Sequence, residues 1–188
     1  MQKDEVLMKI PAWKYTEVEV LVAKLYKELQ IKSLPIDPFE IIKKRGYELI
    51  PFSKMGEKFS LEFFNGDNDA FSFYDPQNNR FIIVYDDDKP LLRLRFTLMH
   101  EVGHIELGHK CESELARKLA DYFAGYSLAP TPLMNHFQCN SIESVMSKFQ
   151  VSRPCAEVRI DRYFKWLLYR ETPSRNHEEE ILKLFNLI

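Results

Sequence analysis

Two histidines four residues apart, in His100-Glu101-Val102-Gly103-His104, constrain this chain more than any other feature, because their spacing carries chemistry only on an α-helix. One helical turn advances ~3.6 residues, so the two imidazoles stand one above the other and can reach a single tetrahedral Zn²⁺. Glu101, beside the first of them, can act as general base toward a water on that metal. His109 places a third imidazole close by in the sequence. The flanks predict the helix that the motif requires. Leu91, Leu94, Leu98, Val102 and Ile105 recur at three- and four-residue steps, the apolar stripe of a helix buried along one side. Pro90 suits its start, Asp86, Asp87 and Asp88 suit its positive end, and Gly108 can end it in a left-handed conformation.

The rest of the chain reads as α+β. Amphipathic spacing predicts a helix over Tyr15 to Gln30, and Asp37 before Pro38 caps a short helix that Gly46 ends near Arg45. Tyr47 to Ile50, Phe71 to Tyr74 and Arg80 to Tyr85 read as strands, the last two joined by a hairpin loop at Asp75–Asn79. Phe52 to Asp69 reads as loop with a short helix. After the motif come helices over Ser113–Leu128, Ser141–Gln150, Arg153–Arg170 and His177–Ile188, with a joint at Glu171–Asn176. Strands gathered ahead of helices indicate a small sheet packed on helices rather than an alternating parallel fold.

Bulk properties narrow the function. A chain of 188 residues is one domain, or one domain with an appendage. Its net charge of −2 and pI near 6.2 argue against a surface devoted to nucleic acid or anionic lipid. No apolar run approaches the ~18 residues of a membrane span, and Met1-Gln2-Lys3-Asp4-Glu5 does not read as a signal peptide. Cys111, Cys139 and Cys155 are widely spaced and form no CxxC, as in a reduced compartment, so a cytoplasmic protein is expected. Cys111 lies near enough to the histidines to be weighed as a thiolate ligand against a plain thiol.

Longer stretches carry a resemblance. Arg95-Phe96-Thr97-Leu98-Met99-His100-Glu101-Val102-Gly103-His104 with Ile105-Glu106-Leu107-Gly108-His109 resembles the ImmA/IrrE family of zincin metallo-endopeptidases. Ser33–Pro38 with Gly46-Tyr47, the strand Phe81–Tyr85, and Ala120-Asp121-Tyr122-Phe123-Ala124 through Pro130 are similar to that family's other signatures. The likeness spans residues 15–135. It implies a zincin-like α+β fold with a sheet of about three strands on the HExxH helix, residues 1–135 forming the metallopeptidase domain. Residues 136–188 would be a helical C-terminal extension packed on it. It also implies a Zn²⁺ cofactor and a protein substrate, in several relatives the repressor of a mobile element.

One departure from the family pattern concerns the third zinc ligand, a Glu four residues before the Phe of E-A-x-x-F-A. That position is Leu119 here. Glu112, Glu114, Asp121 and His109 are the substitutes to weigh by helix geometry. Glu114, near a helix start that can fray, is the preferred third ligand. Asp121 is better placed to steady a zinc imidazole from behind, with His109 in a similar supporting role. Tyr122 is a candidate to steady the oxyanion. The strand Arg80–Tyr85, if at a sheet edge, would hold an extended peptide by strand addition, and otherwise is a plain core strand.

Two rival functions follow. Loss of the ligand at Leu119 would leave a zincin-like regulatory protein that binds a partner without efficient catalysis. Residues 142–163 have a helix-turn-helix rhythm with Arg153, Arg159 and Arg162 on the second helix, which would suit a DNA-binding regulator. Arg95 and Glu106 are expected to be solvated or ion-paired without catalytic duty, and the terminal helix to dock on its own domain or on a partner.

Overall fold

The computed structural model describes residues 10–55, 69–111, 113–170 and 175–188. Helix α1 (Ala12–Leu29) ends at Gln30, which takes a left-handed conformation at φ 53°. Helix α2 (Pro38–Arg45) begins as its sequence predicts: the Asp37 carboxylate accepts the Phe39 amide at 2.9 Å, and Gly46 closes the helix at φ 72°. Strand β1 (Glu48–Pro51) runs into a 3-10 turn at Phe52–Lys54, and the remainder of the loop expected up to Asp69 lies largely outside the described residues. Strands β2 (Ala70–Asp75) and β3 (Arg80–Tyr85) form the expected hairpin, with the Asp75 carboxylate accepting the Gln77 amide at 3.0 Å.

The sheet order is β1-β3-β2, with β3 parallel to β1 and antiparallel to β2. Arg80–Tyr85 is therefore the central strand, and its backbone is already paired on both sides. It is the core strand of the two alternatives and has no edge to offer a peptide. The register Ser72↔Ile83 and Leu49↔Ile83 turns one face, with the fully buried Ile83, into the main core.

Helix α3 (Leu91–Glu106) carries the motif, and Gly108 follows at φ 66°. It packs against α4 (Glu114–Leu128), which is capped by Ser113, whose Oγ accepts the Ala116 amide N–H. Gly103 makes that packing close. A Cβ built there would stand 3.0 Å from Phe123 Cδ1, inside normal carbon contact, so the motif's glycine lets the two helices approach.

Helix α5 (Thr131–His136) is not anticipated by the sequence reading, where Pro130 and Pro132 only stop α4. Pro132 falls in the first turn of α5, where a proline starts a helix as readily as it ends one. Helices α6 (Ile142–Phe149), α7 (Arg153–Tyr169) and α8 (Asn176–Leu184) complete the described chain. One hydrophobic cluster runs from Val22 and Leu25 through Leu98, Val102 and Phe123 to Phe149 and Ile181, so these C-terminal helices share the core of the motif helix. No helix among the described residues is long and apolar enough to cross a membrane.

Two arginines expected at the surface lie inside. Arg95 is 6% exposed and gives Nη2–H to Ile36 O at 2.7 Å and Phe149 O at 3.2 Å, and Nε–H to Gln150 O at 2.9 Å. It is neither solvated nor ion-paired. A rigid guanidinium fork instead satisfies carbonyls at the end of α6 and before α2, groups that a helix leaves orphaned. Arg159 is 1% exposed, donating to Ala129 O at 3.0 Å and Thr131 Oγ1 at 2.8 Å.

Candidate metal centre

The motif helix brings His100 and His104 together as the four-residue spacing requires. Their Nε2 atoms face each other at 3.0 Å. Zinc bound tetrahedrally at ~2.0–2.1 Å from each nitrogen needs about 3.3 Å between them, so a small opening of the pair accommodates the ion. The other ring nitrogens are held from behind. His100 Nδ1 meets Asp121 Oδ1 at 2.8 Å, a carboxylate–imidazole contact that fixes the tautomer and frees Nε2 for a metal. His104 Nδ1 meets His109 Nδ1 at 3.2 Å, one nitrogen donating to the other. Burial holds the His109 imidazole below its ordinary pKa, and the nearby His100 adds to the shift.

Glu101 lies on the buried side of the helix, 8% exposed. Its Oε2 accepts the Ser72 hydroxyl of β2 at 2.7 Å. The sequence reading does not single out Ser72. The only signal was alternation, which places Ala70, Ser72 and Tyr74 on one side of β2 without saying which side meets a helix. Glu106, at the end of α3, is ion-paired as expected, with Arg45 Nε at 2.7 Å and the Tyr47 hydroxyl at 2.9 Å. That contact anchors the C-terminal end of the motif helix to α2.

Other predicted residues lie apart from this group. Glu114 is the first residue of α4, 64% exposed, and pairs with Lys118 one turn on. The Tyr122 hydroxyl donates to Glu19 of α1, and the Tyr122 ring packs edge-on against Tyr15 at 4.6 Å. Burial, then the Glu19 charge, pushes the Tyr122 pKa well up, so it stays a donor. Leu119 is 7% exposed and belongs to the hydrophobic cluster. Cys111 is exposed. Among the described residues, no three His, Cys, Asp or Glu side chains are grouped to hold a metal. The imidazole pair with its backing fits two zinc positions, and the described residues do not fit the three protein ligands of a catalytic zinc.

The helix-turn-helix rhythm is present in α6 and α7, but its arginines are largely spent. Arg159 is in the core, and Arg162 lies over the Tyr15 and Tyr122 rings at 4.5 Å from each. Arg153 stays at the surface, paired with Glu143 at 3.0 Å.

Residues 53–161, more than half of the chain, match the family model of peptidase M78, described as the IrrE N-terminal-like domain. No curated protein is matched by the chain.

Proposed function

The chain belongs to the IrrE N-terminal-like family of M78 peptidases, and from that premise we propose that it is a zinc-dependent endopeptidase that cuts a protein partner, a transcriptional repressor of a mobile element. The observation that carries the reading is the pair of Nε2 atoms at 3.0 Å with both opposite nitrogens partnered and Glu101 alongside. His100 and His104 would hold the zinc, which would supply Lewis acidity toward a peptide carbonyl.

The chain's own residues supply the rest. Ser72 keeps Glu101 Oε2 in one orientation, so the carboxylate is preorganised to take a proton from an attacking water and hand it to the departing amine. Strand β2 is an edge of the described sheet and touches the motif helix through Ser72. An extended peptide adding to β2, in place of the central strand Arg80–Tyr85, would run past Glu101. Glu114 as third ligand would first have to leave Lys118.

The rival reading, a zincin-like regulator that binds its partner without efficient cleavage, is favoured by Leu119 in the core. Glu101→Gln separates the two. With zinc and a co-encoded repressor, fragments seen by mass spectrometry with the native chain and lost with Glu101→Gln support the peptidase. Derepression that persists in cells carrying Glu101→Gln supports the regulator.

A further inference from the structure

Helix α7 turns one side to the core and an ordered stripe to solvent. Cys155, Ala156, Arg159, Ile160 and Tyr163 are its buried residues. On the opposite side, at steps of four, three, four and three, stand Pro154, Val158, Asp161, Lys165 and Leu168, all exposed. That alternation of steps is the seam of a coiled coil, where a helix repeats its contact side every ~3.5 residues. Val158 is 57% exposed and Leu168 76%, and with Phe164 and Tyr169 they give α7 more exposed large apolar side chains than any other described element.

The charges within the stripe narrow what can cover it. Asp161 and Lys165 pair with each other at 2.6 Å, and both are more than half exposed. A second copy of α7, turned end for end about an axis midway between these two residues, sets Asp161 opposite the copy's Lys165. The same turn sets Val158 opposite the copy's Leu168, and each pairing occurs twice. A parallel arrangement would instead face Asp161 with Asp161 and Lys165 with Lys165, which repel. The acid-then-base order is therefore complementary to itself in the antiparallel sense, as an interface with a twofold axis requires.

We propose that this chain associates with a second copy of itself through the Val158–Asp161–Lys165–Leu168 stripe, as a short antiparallel helix pair. Seventeen residues make α7 ~25 Å long and ~10 Å across. The contact is therefore well below the ~800 Å² per partner of a standard interface, and the dimer is weak, forming from micromolar to millimolar concentration. The association does not depend on the metal site or on catalysis.

The test is sedimentation equilibrium of the full chain up to about 1 mM, the weak end of specific association. We expect the mass to rise with concentration from 22.3 kDa toward twice that value. Leu168→Asp should hold it at the monomer value, and Asp161→Lys should weaken association at least about tenfold by setting like charges opposite. Adding Lys165→Asp to Asp161→Lys should restore it, because the reversed order is again complementary to itself. The native titration needs no variant, so a variant that misfolds leaves the test intact. A mass that stays at 22.3 kDa throughout overturns the proposal. So does a dimer that survives Leu168→Asp, which puts the interface elsewhere, or a double reversal that fails to restore what Asp161→Lys removed.

Discussion

Replacing Arg95 by Met should be among the most damaging changes outside the site. Arg95 donates to three carbonyls, Ile36 O, Phe149 O and Gln150 O, from a position 6% exposed. Methionine keeps much of the volume and removes every donor. Gln150 is exposed, so water can take over its carbonyl. Ile36 and Phe149 are fully buried and their carbonyls would lose this partner at a cost of about 1–3 kcal/mol each. Burial already holds the Arg95 guanidinium below its ordinary pKa, a sign of the desolvation cost that Met relieves. The net expectation is a loss of about 2–4 kcal/mol in urea unfolding, and a midpoint lowered by roughly 5–15 °C for a chain of this size. Arg95→Lys should not recover it, because one ammonium lacks the planar fork that reaches both segments. Arg153→Met, which breaks an exposed pair with Glu143, serves as control and should cost under about 0.5 kcal/mol. If Arg95→Met costs no more than the control, the account of Arg95 as the clamp between the motif helix and α6 is wrong.

Three further outcomes follow from the same contacts. Gly103→Ala should destabilise by about 0–2 kcal/mol, overpacking against Phe123 outweighing the helix-propensity gain; adding Phe123→Leu should recover stability, and a double-mutant cycle that shows no coupling refutes the close-approach argument. Asp121→Ala should weaken zinc about 10- to 100-fold with unfolding unchanged, as read by competition with a chelating dye; equal loss of affinity and stability would make Asp121 merely structural. Burial pushes the Glu19 carboxyl up, but bonds from His177 and Tyr122 and the charges of His177 and Arg159 bring it below its ordinary value. A depressed acid contributes stability present above its unfolded pKa and lost as pH falls through the folded one, so unfolding free energy should drop as pH goes below ~4.3, and Glu19→Gln should flatten that slope.

Much of the fold was legible because local signals agreed with tertiary need. The Leu91–Ile105 stripe, the Asp37 cap, the turns at Gly46 and Gly108 and the Asp75–Asn79 hairpin each sit where sequence chemistry places them. Strand order was not legible, since Arg80–Tyr85 reads the same at an edge or in the centre, and only pairing with both β1 and β2 decides it. Helix α5 was hidden by prolines that can stop or start a helix. Within the site, spacing alone gave the imidazole pair, and Asp121 as support for an imidazole followed from its place two residues after the family's ligand position at Leu119; that the imidazole is that of His100 shows only in the fold. Ser72, Arg95 and Arg159 were not legible, because an isolated serine or arginine carries no mark of the buried carboxylate or carbonyl it meets. The fate of Tyr122 was likewise set by a distant residue, Glu19.

The central claim is that His100 and His104 hold the metal through Nε2. X-ray absorption at the zinc edge, on the full chain at saturating zinc, tests it most directly when the native protein is compared with His100→Ala and His104→Ala. The account predicts two imidazole nitrogens at ~2.0–2.1 Å in the native protein and a signal reduced by one imidazole in each variant. Zinc bound with the same imidazole count in all three proteins would contradict it.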